Sequence, residues 1–496
     1  MAVKERAAHK GYIVPRFGRR EKGRGSLVTS MWSSYTAQDF KPLFFWSLNV
    51  SELIISVSGL RGIVGESLTG EVATGYVQAF SSHLPPGPLV LTRDGRANGP
   101  PLADIIKSGL SWTGRDVLDA GIAATPTTGV LVRESGSAGG IQITASHNPA
   151  PYNGMKLFAG DGRVVPADIG EAVRQTYLDR SVAAEGSQRK GIVTAYGDTT
   201  LAHWEKIAAQ VNVDKIRAAQ VRVLLDANHG SGSILGQCLL EKLGCKVILR
   251  GGTADGYFAH APEPTEENLA ELSAEVPAEG VDVGFCQDPD ADRLAVIDAQ
   301  GRYLGEEYTL ALCVDHLLRK RKGAVVTNCS TSRMSEDLAL RYGVPFSRSA
   351  VGEANVVDQM LATEAMIGGE GNGGVIDPRV GLVRDSFIGM AYLLEAMVTR
   401  QMSIGDLAAE MPRYEMSKRK LTFPGDRLAE GQAAVRKHFA DAAATQPDGL
   451  RLDWKDRWLL LRASNTEPII RIMSEAADQP EADRLCHEAE KVLRNL

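Results

Sequence analysis

A single serine stands in the middle of a polar loop that directly follows an apolar strand. Residues 141–149 read Ile-Gln-Ile-Thr-Ala-Ser-His-Asn-Pro, so a short buried-type strand runs into polar residues and stops at Pro149. Serine, asparagine and proline are also common in ordinary tight turns, which is the alternative interpretation. Beyond a plain turn, the loop offers Ser146 as the best candidate in the chain for a covalent phosphate carrier.

Three aspartates alternate in a second loop and suit a hard metal ion. They are Asp288, Asp290 and Asp292. Alternate side chains of an extended segment project to one side, and Pro289 favours that extended form in the residue before it. Neighbouring anions repel one another unless a cation lies between them, and carboxylate oxygens suit Mg²⁺. A calcium-binding EF-hand loop would need glycine where Arg293 stands and glutamate where Ala299 stands, so a solvated acidic turn is the remaining alternative.

The third loop, residues 368–374, reads Gly-Gly-Glu-Gly-Asn-Gly-Gly. Its glycine spacing satisfies the G-x-G-x-x-G pattern of dinucleotide sites. However, Pro378 follows soon after, and no helix is predicted to begin at the third glycine. The dinucleotide interpretation is therefore weak.

The fourth loop predicts a phosphate-binding turn. Residues 462–468 read Arg-Ala-Ser-Asn-Thr-Glu-Pro, and a second arginine follows at position 471. Such a turn can present backbone N–H groups, while two arginines offer planar, bidentate donors to a dianion. An arginine-containing hairpin turn is the alternative. The residues predicted to hold the phosphate are Arg462, Ser464, Asn465, Thr466 and Arg471.

Together the four loops resemble, in the same order, the signature loops of the α-D-phosphohexomutase superfamily, which includes phosphoglucomutases, phosphomannomutases and phosphoglucosamine mutases. The resemblance spans about residues 53 to 496. It implies that Ser146 is a phosphoserine that binds Mg²⁺ together with the three aspartates, and that Glu370 contacts sugar hydroxyls. Asn372 and Gly374 stand where many relatives carry serine and histidine. Because of these two differences, the sugar preference of those relatives is not assigned to this chain from the loop.

Two shorter motifs and one segment add further residues through the same resemblance. Residues 58–65 resemble the N-terminal active-site loop, which places Arg61 near the transferred phosphate. Residues 153–156 match the segment whose lysine, here Lys156, acts in proton transfer. Glu353 belongs to the segment that joins the third domain to the sugar.

The implied chemistry is a two-step phosphoryl transfer. The phosphoserine would donate its phosphate to the free hydroxyl of a sugar phosphate, and the bisphosphorylated sugar would turn around and return its other phosphate. Arg61 and Arg293 would assist, while Lys156, with His147 as a second candidate, would manage the hydroxyl proton. Adjacent side chains in an extended loop point apart, so no hydrolase-type pair of Ser146 and His147 is predicted. A phosphatase and a non-catalytic sugar-phosphate sensor are the rival functions, and the distal arginine loop argues against the phosphatase.

The strand pattern predicts an α/β fold of three similar domains with mixed sheets, plus a smaller C-terminal α+β domain, around a central cleft. Buried-type strands at 88–94, 221–228 and 324–328 begin the three units, and a later strand in each unit leads into one of the first three loops. Ligands bind beyond the carboxyl ends of such strands, so the loops are expected to face one cleft. The predicted boundaries are 51–195, 196–298, 299–410 and 411–496, after a basic, disordered tail at 1–50. In the last domain we predict a helix at 427–444, strands at 458–461 and 469–473, and a closing helix from about 479.

Composition excludes several classes of protein. A chain of 496 residues is too long for one core, and 44% apolar with 23% charged residues is ordinary for a globular protein. A net charge of -6 gives no reason to expect nucleic acid, and no apolar run is long enough for a membrane span. The six cysteines are scattered, which favours reduced thiols in a cytoplasmic enzyme. The expected partner is a small sugar phosphate, and the expected state is a monomer or homodimer.

A gene model that is too long, with the true start at Met31 or later, would equally explain the basic first fifty residues.

The motifs disagree about the sugar. The glycine-rich loop resembles that of phosphoglucosamine mutases from archaea and some bacteria. In contrast, the Ser464-Asn465-Thr466 string resembles the phosphomannomutase/phosphoglucomutase group. We predict conversion of glucosamine 6-phosphate to glucosamine 1-phosphate, with mannose and glucose phosphates as the alternative.

Overall fold

The first domain is built on a seven-stranded mixed sheet. The computed structural model describes residues 53–181, 187–463 and 469–496. The predicted basic tail and Ser464, Asn465 and Thr466 lie outside these ranges. The strands are β1 (Ile54–Ser56), β2 (Gly59–Ile63), β3 (Leu89–Arg93), β4 (Val117–Ile122), β5 (Gly139–Ile143), β6 (Tyr152–Ala159) and β7 (Val193–Ala195). They lie in the order β1-β2-β6-β5-β3-β4-β7. The helices are α1 (Gly70–Ser82), α2 (Gly99–Trp112), α3 (Thr125–Ser135) and α4 (Ala167–Leu178).

The second and third domains each contain a four-stranded sheet. The second has helices α5 (Leu201–Ala208), α6 (Val213–Ala219), α7 (Gly232–Lys242) and α8 (Ala270–Ala278), and strands β8 (Arg222–Asp226), β9 (Lys246–Arg250), β10 (Val283–Gln287) and β11 (Leu294–Asp298). The third has helices α9 (Glu306–Lys320), α10 (Met334–Tyr342), α11 (Glu353–Ala362), α12 (Ser386–Arg400) and α13 (Ile404–Ala409), and strands β12 (Val325–Asn328), β13 (Phe346–Ser349), β14 (Ile367–Glu370) and β15 (Gly374–Ile376).

All three sheets repeat one strand pattern, which confirms the predicted fold class. The runs β4-β3-β5-β6, β9-β8-β10-β11 and β13-β12-β14-β15 each consist of two parallel pairings followed by one antiparallel pairing. In each run the third strand carries or leads into a predicted site loop and turns back into the antiparallel edge strand. The residues in these turns are Ser146 after β5, Asp288 after β10, and Glu370 at the end of β14. The repeat therefore places the three loops at equivalent positions in their sheets.

The C-terminal domain is a five-stranded antiparallel sheet with two helices. Its strands are β16 (Glu415–Thr422), β17 (Ala443–Thr445), β18 (Leu450–Asp453), β19 (Trp458–Ala463) and β20 (Ile469–Ala476), in the order β16-β20-β19-β18-β17, and its helices are α14 (Leu428–His438) and α15 (Gln479–Arg494). The predicted closing helix is α15. The helix predicted at 427–444 is too long, because it ends at His438. Phe439 then packs into the domain core, and Ala443 pairs with Asp453 in the sheet instead.

The second and third domains share a hydrophobic core. One cluster joins buried side chains of both, including Leu225 and Phe285 from the second domain and Leu310 and Phe387 from the third. The first and the C-terminal domains have cores of their own. The shared core fixes the aspartate loop relative to the glycine-rich loop. None of the helices in the described part of the chain is long and apolar enough to cross a membrane.

A buried ion-pair cluster lies at this shared core and gives a stability prediction. The Glu395 carboxylate is 2.6 Å from His316 Nε2 and 2.7 Å from Lys320 Nζ, and it accepts the Asn212 N–H at 2.8 Å. Although burial alone raises the pKa of Glu395, these partners outweigh burial and lower that pKa to about 2 from an ordinary 4.5. The carboxylate therefore stabilises the fold above about pH 4.5, and its contribution falls as the pH drops toward 2.

We expect Glu395→Gln to lower the free energy of unfolding at pH 7 by roughly 1–3 kcal/mol, because charge-assisted hydrogen bonds are lost in a buried site. The difference from wild type should shrink as the pH falls below about 4. Urea unfolding at several pH values measures this, with Glu267→Gln, at an exposed position, as the control. An unfolding free energy unchanged at pH 7 would contradict the assignment.

Candidate active site

Ser146 is held in an unusual backbone conformation beside the aspartate loop. Its φ is 49°, in the left-handed region that few residues other than glycine adopt. The Ser146 hydroxyl donates to Asp288 Oδ2 at 3.0 Å, and the side chain is buried. The prediction that Ser146 and His147 point apart is wrong. His147 Nδ1 lies 3.3 Å from Ser146 Oγ, because the left-handed φ turns the loop instead of leaving it extended.

A buried arginine fixes the serine loop, and sequence reasoning missed it. Arg96 is 1% exposed, and its Nε lies 3.1 Å from Asp94 Oδ2. Its two terminal nitrogens donate to four loop carbonyl oxygens at 2.6–3.1 Å, those of Ser146, Asn148, Pro149 and Tyr152. Asp94 Oδ2 also accepts the Thr144 hydroxyl at 2.8 Å. The sequence signal for this role of Arg96 is the Asp-x-Arg pattern after β3. That pattern is too common to predict by itself an arginine that holds the serine loop.

The three aspartates converge through a turn and not through an extended segment. Ala291 N–H donates to the Asp288 carbonyl at 2.9 Å, and the φ of Ala291 is 57°. The assumption of an extended loop is therefore wrong, since the chain folds back on itself between the carboxylates. The convergence itself is present. All three side chains are fully buried, and one oxygen from each lies within 4.8 Å of the others.

The aspartate cluster has cationic partners on one side and free oxygens on the other. Lys156 Nζ lies 3.2 Å from Asp290 Oδ2 and 2.7 Å from Asp292 Oδ2, and the Thr125 hydroxyl donates to Asp290 Oδ2 at 2.6 Å. Asp290 Oδ1 and Asp292 Oδ1 are buried, and neither has a hydrogen-bond partner among the described residues. Buried carboxylate oxygens without partners are costly. The donor set therefore fits a divalent cation with oxygen ligands.

Burial and charge set the protonation states around Ser146. Burial, reinforced by Asp290 and Asp292, raises the pKa of Asp288 well above its ordinary value. Burial alone would lower the pKa of Lys156, but the same two carboxylates outweigh burial and raise it, so the lysine stays charged. Burial, together with Arg293 and Arg61, lowers the pKa of His147 to about 3. His147 is therefore neutral at pH 7.

A cavity of about 550 Å³ is lined by residues from all four domains. It is the central cleft predicted from the strand pattern. The predicted site residues that line it are Arg61, His147, Lys156, Arg293, Glu353, Glu370, Asn372 and Arg471. Glu263 also lines this cavity and was not predicted. Its Oε1 is 3.6 Å from Arg293 NH1 and 4.0 Å from His147 Nε2.

Glu370 is anchored at the wall of the cavity. Its Oε1 accepts the Asn328 amide at 2.8 Å and the Gly352 N–H at 3.1 Å. Asn372 Nδ2 is 3.4 Å from Glu370 Oε2, and Asn372 Oδ1 has no hydrogen-bond partner among the described residues. The glycine-rich loop thus presents polar oxygens to the cavity from a fixed position.

Basic side chains on one face of the C-terminal sheet lie at the same cavity. Arg471 on β20 is directly opposite Arg462 on β19 and Lys420 on β16, so the three side chains share one face. Lys418, two residues before Lys420 on the same strand face, lines the cavity with Arg471. Arg462 Nε is 2.5 Å from Asp448 Oδ2 and is not among the lining residues. The sequence did not predict Lys418 and Lys420, because only the register of the sheet shows which face of β16 they lie on.

Comparison with known proteins decides the family. The three α/β/α domains of phosphoglucomutase/phosphomannomutase match residues 53–182, 202–301 and 306–414, and the C-terminal domain matches 424–492. A phosphoglucomutase/phosphomannomutase of Thermococcus kodakarensis is 37% identical, over 86% of this chain and 94% of that protein. The chain belongs to the phosphoglucomutase/phosphomannomutase family. It is therefore an intramolecular phosphotransferase, an isomerase of sugar phosphates.

Other members of the phosphoglucomutase/phosphomannomutase family agree with this result. A phosphoglucosamine/phosphogalactosamine mutase of Sulfurisphaera tokodaii is 31% identical, over 89% of this chain and 99% of that protein. The crystal structure of a family protein from Burkholderia thailandensis superimposes with a TM-score of 0.77 at 26% identity, over 89% of this chain and 98% of that chain. The family matches leave short gaps between the domains, so the boundaries proposed from the sequence remain predictions.

Proposed function

We propose that this protein interconverts hexose 6-phosphate and hexose 1-phosphate through a phosphorylated Ser146 and a bisphosphorylated sugar. The observation that carries this proposal is the placement of the Ser146 hydroxyl, 3.0 Å from Asp288 and next in the chain to His147, which lines the same cavity as Lys418 and Arg471. A phosphatase would need only the serine and a metal. Arg471 and Lys418 of the C-terminal sheet line the cavity and support a mutase, because a second phosphate must be held while the first reacts.

The three aspartates and the phosphate of Ser146 would hold the metal ion, for which Mg²⁺ is the proposal on the chemistry of the donors. When bound, a divalent cation offsets negative charge in the loose transition state of phosphoryl transfer. Asp290 Oδ1 and Asp292 Oδ1 are the oxygens left free for it. Lys156 keeps the second oxygen of each of these aspartates engaged.

Phosphoryl transfer to the sugar breaks the bond from phosphorus to Ser146 Oγ and forms one to the sugar oxygen. The sugar hydroxyl must lose a proton, and Ser146 Oγ must gain one. Lys156, which stays charged, and His147, whose Nδ1 lies 3.3 Å from Ser146 Oγ, are the groups proposed to move these two protons. Arg61 and Arg293 line the same cavity and would neutralise the phosphoryl oxygens. The return step reverses these roles.

The phosphate that is not reacting would be held by Arg462, Arg471 and the loop between them, including Ser464, Asn465 and Thr466. Two arginines from adjacent strands match a phosphate dianion with bidentate geometry. Lys418 and Lys420 add positive charge beside them. The bisphosphorylated sugar must turn around within the cavity, so each of its phosphates would occupy this position once per cycle.

Replacing Arg471 with alanine tests this assignment. We expect the KM for the hexose phosphate to rise roughly 10- to 100-fold, because charge-assisted hydrogen bonds to the distal phosphate are lost. Phosphorylation of Ser146 should persist. The matched control is Arg419→Ala, an arginine on the opposite face of the same sheet whose partner is Glu490. An unchanged KM for Arg471→Ala would remove the C-terminal sheet from the substrate site.

Glucosamine phosphate remains the proposed substrate, with mannose and glucose phosphates as the alternative. The glycine-rich loop, which resembles that of phosphoglucosamine mutases, and the similarity to the Sulfurisphaera protein favour the amino sugar. The more similar Thermococcus protein favours the alternative. Coupled assays on glucosamine 6-phosphate, mannose 1-phosphate and glucose 1-phosphate test the choice. The amino-sugar proposal is wrong if glucosamine 6-phosphate is turned over more slowly than both other sugar phosphates.

A cytoplasmic location and a monomeric or homodimeric state are also proposed. All six cysteines are free, as suits a reducing compartment. The substrate expected from the site is a small sugar phosphate, and the net charge of -6 offers nothing to nucleic acid.

A further inference from the structure

One buried arginine, Arg384, connects the metal loop to the sugar side of the cavity. Its NH2 donates to Asp292 Oδ2 at 2.7 Å, and its NH1 lies 2.9 Å from Glu370 Oε2. Its Nε lies 3.4 Å from Glu353 Oε2, and its backbone N–H donates to Glu353 Oε1 at 2.7 Å. The Arg384 side chain is only 9% exposed, and it lines the cavity. One guanidinium thus meets three carboxylates from two domains.

The three carboxylates depend on this cation. Asp292, Glu353 and Glu370 are all buried, and a buried carboxylate that loses its partner is strongly destabilised or takes up a proton. Lys156 also contacts Asp292 but is not paired with either glutamate. Among the described residues, Arg384 is the cation paired with both Glu353 and Glu370.

Gly374 makes room for this arginine. A Cβ at position 374 would lie 2.3 Å from Arg384 Cδ and 2.7 Å from its Cγ. Arg384 cannot simply move aside, since both terminal nitrogens of its guanidinium are held, by Asp292 and by Glu370. A glycine on β15 is therefore required for the arginine to reach across the strand, which explains a glycine that no turn demands.

We propose that Arg384 is a positioning residue that sets the orientation of Glu370 and Glu353 for the sugar and of Asp292 for the metal. By binding Asp292 Oδ2 it leaves Oδ1 free on the side of the aspartate cluster. By binding Glu370 Oε2 it fixes the plane of a carboxylate whose other oxygen is held by Asn328 and Gly352. This inference rests on the proposed function, because it assumes that the cavity receives a hexose phosphate.

The test compares Arg384→Met, Arg384→Lys and Gly374→Ala with wild type. The affinity for glucosamine 6-phosphate is measured by calorimetry in EDTA, and kcat and KM for the same sugar phosphate are measured with Mg²⁺. We expect Arg384→Met and Gly374→Ala to weaken the calorimetric affinity and to lower kcat/KM, each by about 10- to 100-fold, the usual effect of losing a group that orients ligands. Arg384→Lys should recover part of both losses, because lysine restores the charge but not the planar fork.

The matched control is Arg379→Met. Arg379 is also in the third domain and pairs with the buried Asp377, outside the residues that line the cavity. The variant Arg379→Met should have a lower melting temperature than wild type and unchanged sugar-phosphate affinity and kcat/KM. The inference is overturned if Arg384→Met binds and turns over like wild type, or if Arg379→Met loses as much affinity. If the wild type has no mutase activity with any of the sugars, the proposed function is wrong. The comparison between the Arg384 variants does not test that function.

Discussion

Substituting Ser146 with alanine is expected to abolish phosphohexomutase activity, with kcat reduced at least about 10⁴-fold, as for loss of other covalent nucleophiles. The reason is that the proposed mechanism passes the phosphoryl group through the Ser146 hydroxyl. Ser146 Oγ is fixed 3.0 Å from Asp288 by a left-handed backbone and by the Arg96 contacts to the loop. Activity is measured with a hexose 1-phosphate in a coupled assay, and intact mass reports whether the protein carries one phosphoryl group.

The control for this variant is Ser135→Ala. Ser135 lies at the end of α3 in the same domain, and its hydroxyl donates to the Leu131 carbonyl within the helix. This control should keep both the activity and the phosphoryl mass. Activity within tenfold of wild type in Ser146→Ala would show that the phosphate does not pass through this serine.

The second large effect concerns the metal site, where activity and stability should change in opposite directions. Asp288→Asn is expected to lower kcat by about 10³-fold, since charge neutralisation in phosphoryl transfer is worth several kcal/mol. In EDTA the same change should raise the melting temperature. Asp288 is fully buried beside Asp290 and Asp292, and removal of one carboxylate relieves their mutual repulsion.

Magnesium should separate the variants further. Wild type should gain about 2–3 kcal/mol of stability at a hundredfold excess over the dissociation constant, and Asp288→Asn much less. Asp298→Asn is the control. Asp298 is a buried aspartate of the same domain that pairs with Arg302, so its loss should lower the melting temperature but keep the magnesium response. If magnesium leaves the wild-type melting temperature unchanged, the aspartates are not the metal site.

The sequence was most informative where a function is encoded by neighbouring residues. The serine loop and the aspartate triplet are contiguous, so their residue types could be interpreted before any fold was known. The repeat of strand and loop was also visible, because each unit places a buried-type strand before a polar turn. The structure confirms that these loops occupy equivalent positions in three sheets.

Local backbone shape was less predictable. The aspartates lie in a turn with Ala291 in the left-handed region, and His147 lies beside Ser146 because of a similar conformation. Both conformations are maintained by long-range contacts, such as those of Arg96 to the serine loop, and local propensity gives no sign of them. An expectation of extended loops therefore failed at the places where the fold imposes strain.

Residues that act through single long-range contacts could not be found from the sequence. Arg96, Glu263 and Arg384 each contact a partner far along the chain, respectively the Ser146 carbonyl, Arg293 and Asp292. Arg384 is 92 positions from Asp292 and 31 from Glu353. Only tertiary structure brings such partners together, and Gly374 becomes meaningful only once the path of Arg384 is known.

The central claim is that the phosphoryl group moves between Ser146 and the sugar. A single-turnover experiment tests it most directly, in which enzyme carrying a radiolabelled phosphoryl group on Ser146 is mixed with excess unlabelled hexose phosphate and quenched over time. We predict that label leaves the protein at the rate of turnover and appears first in a hexose bisphosphate and then in hexose monophosphate. Label that stays on the serine during turnover, or that appears only as inorganic phosphate, would contradict the mechanism.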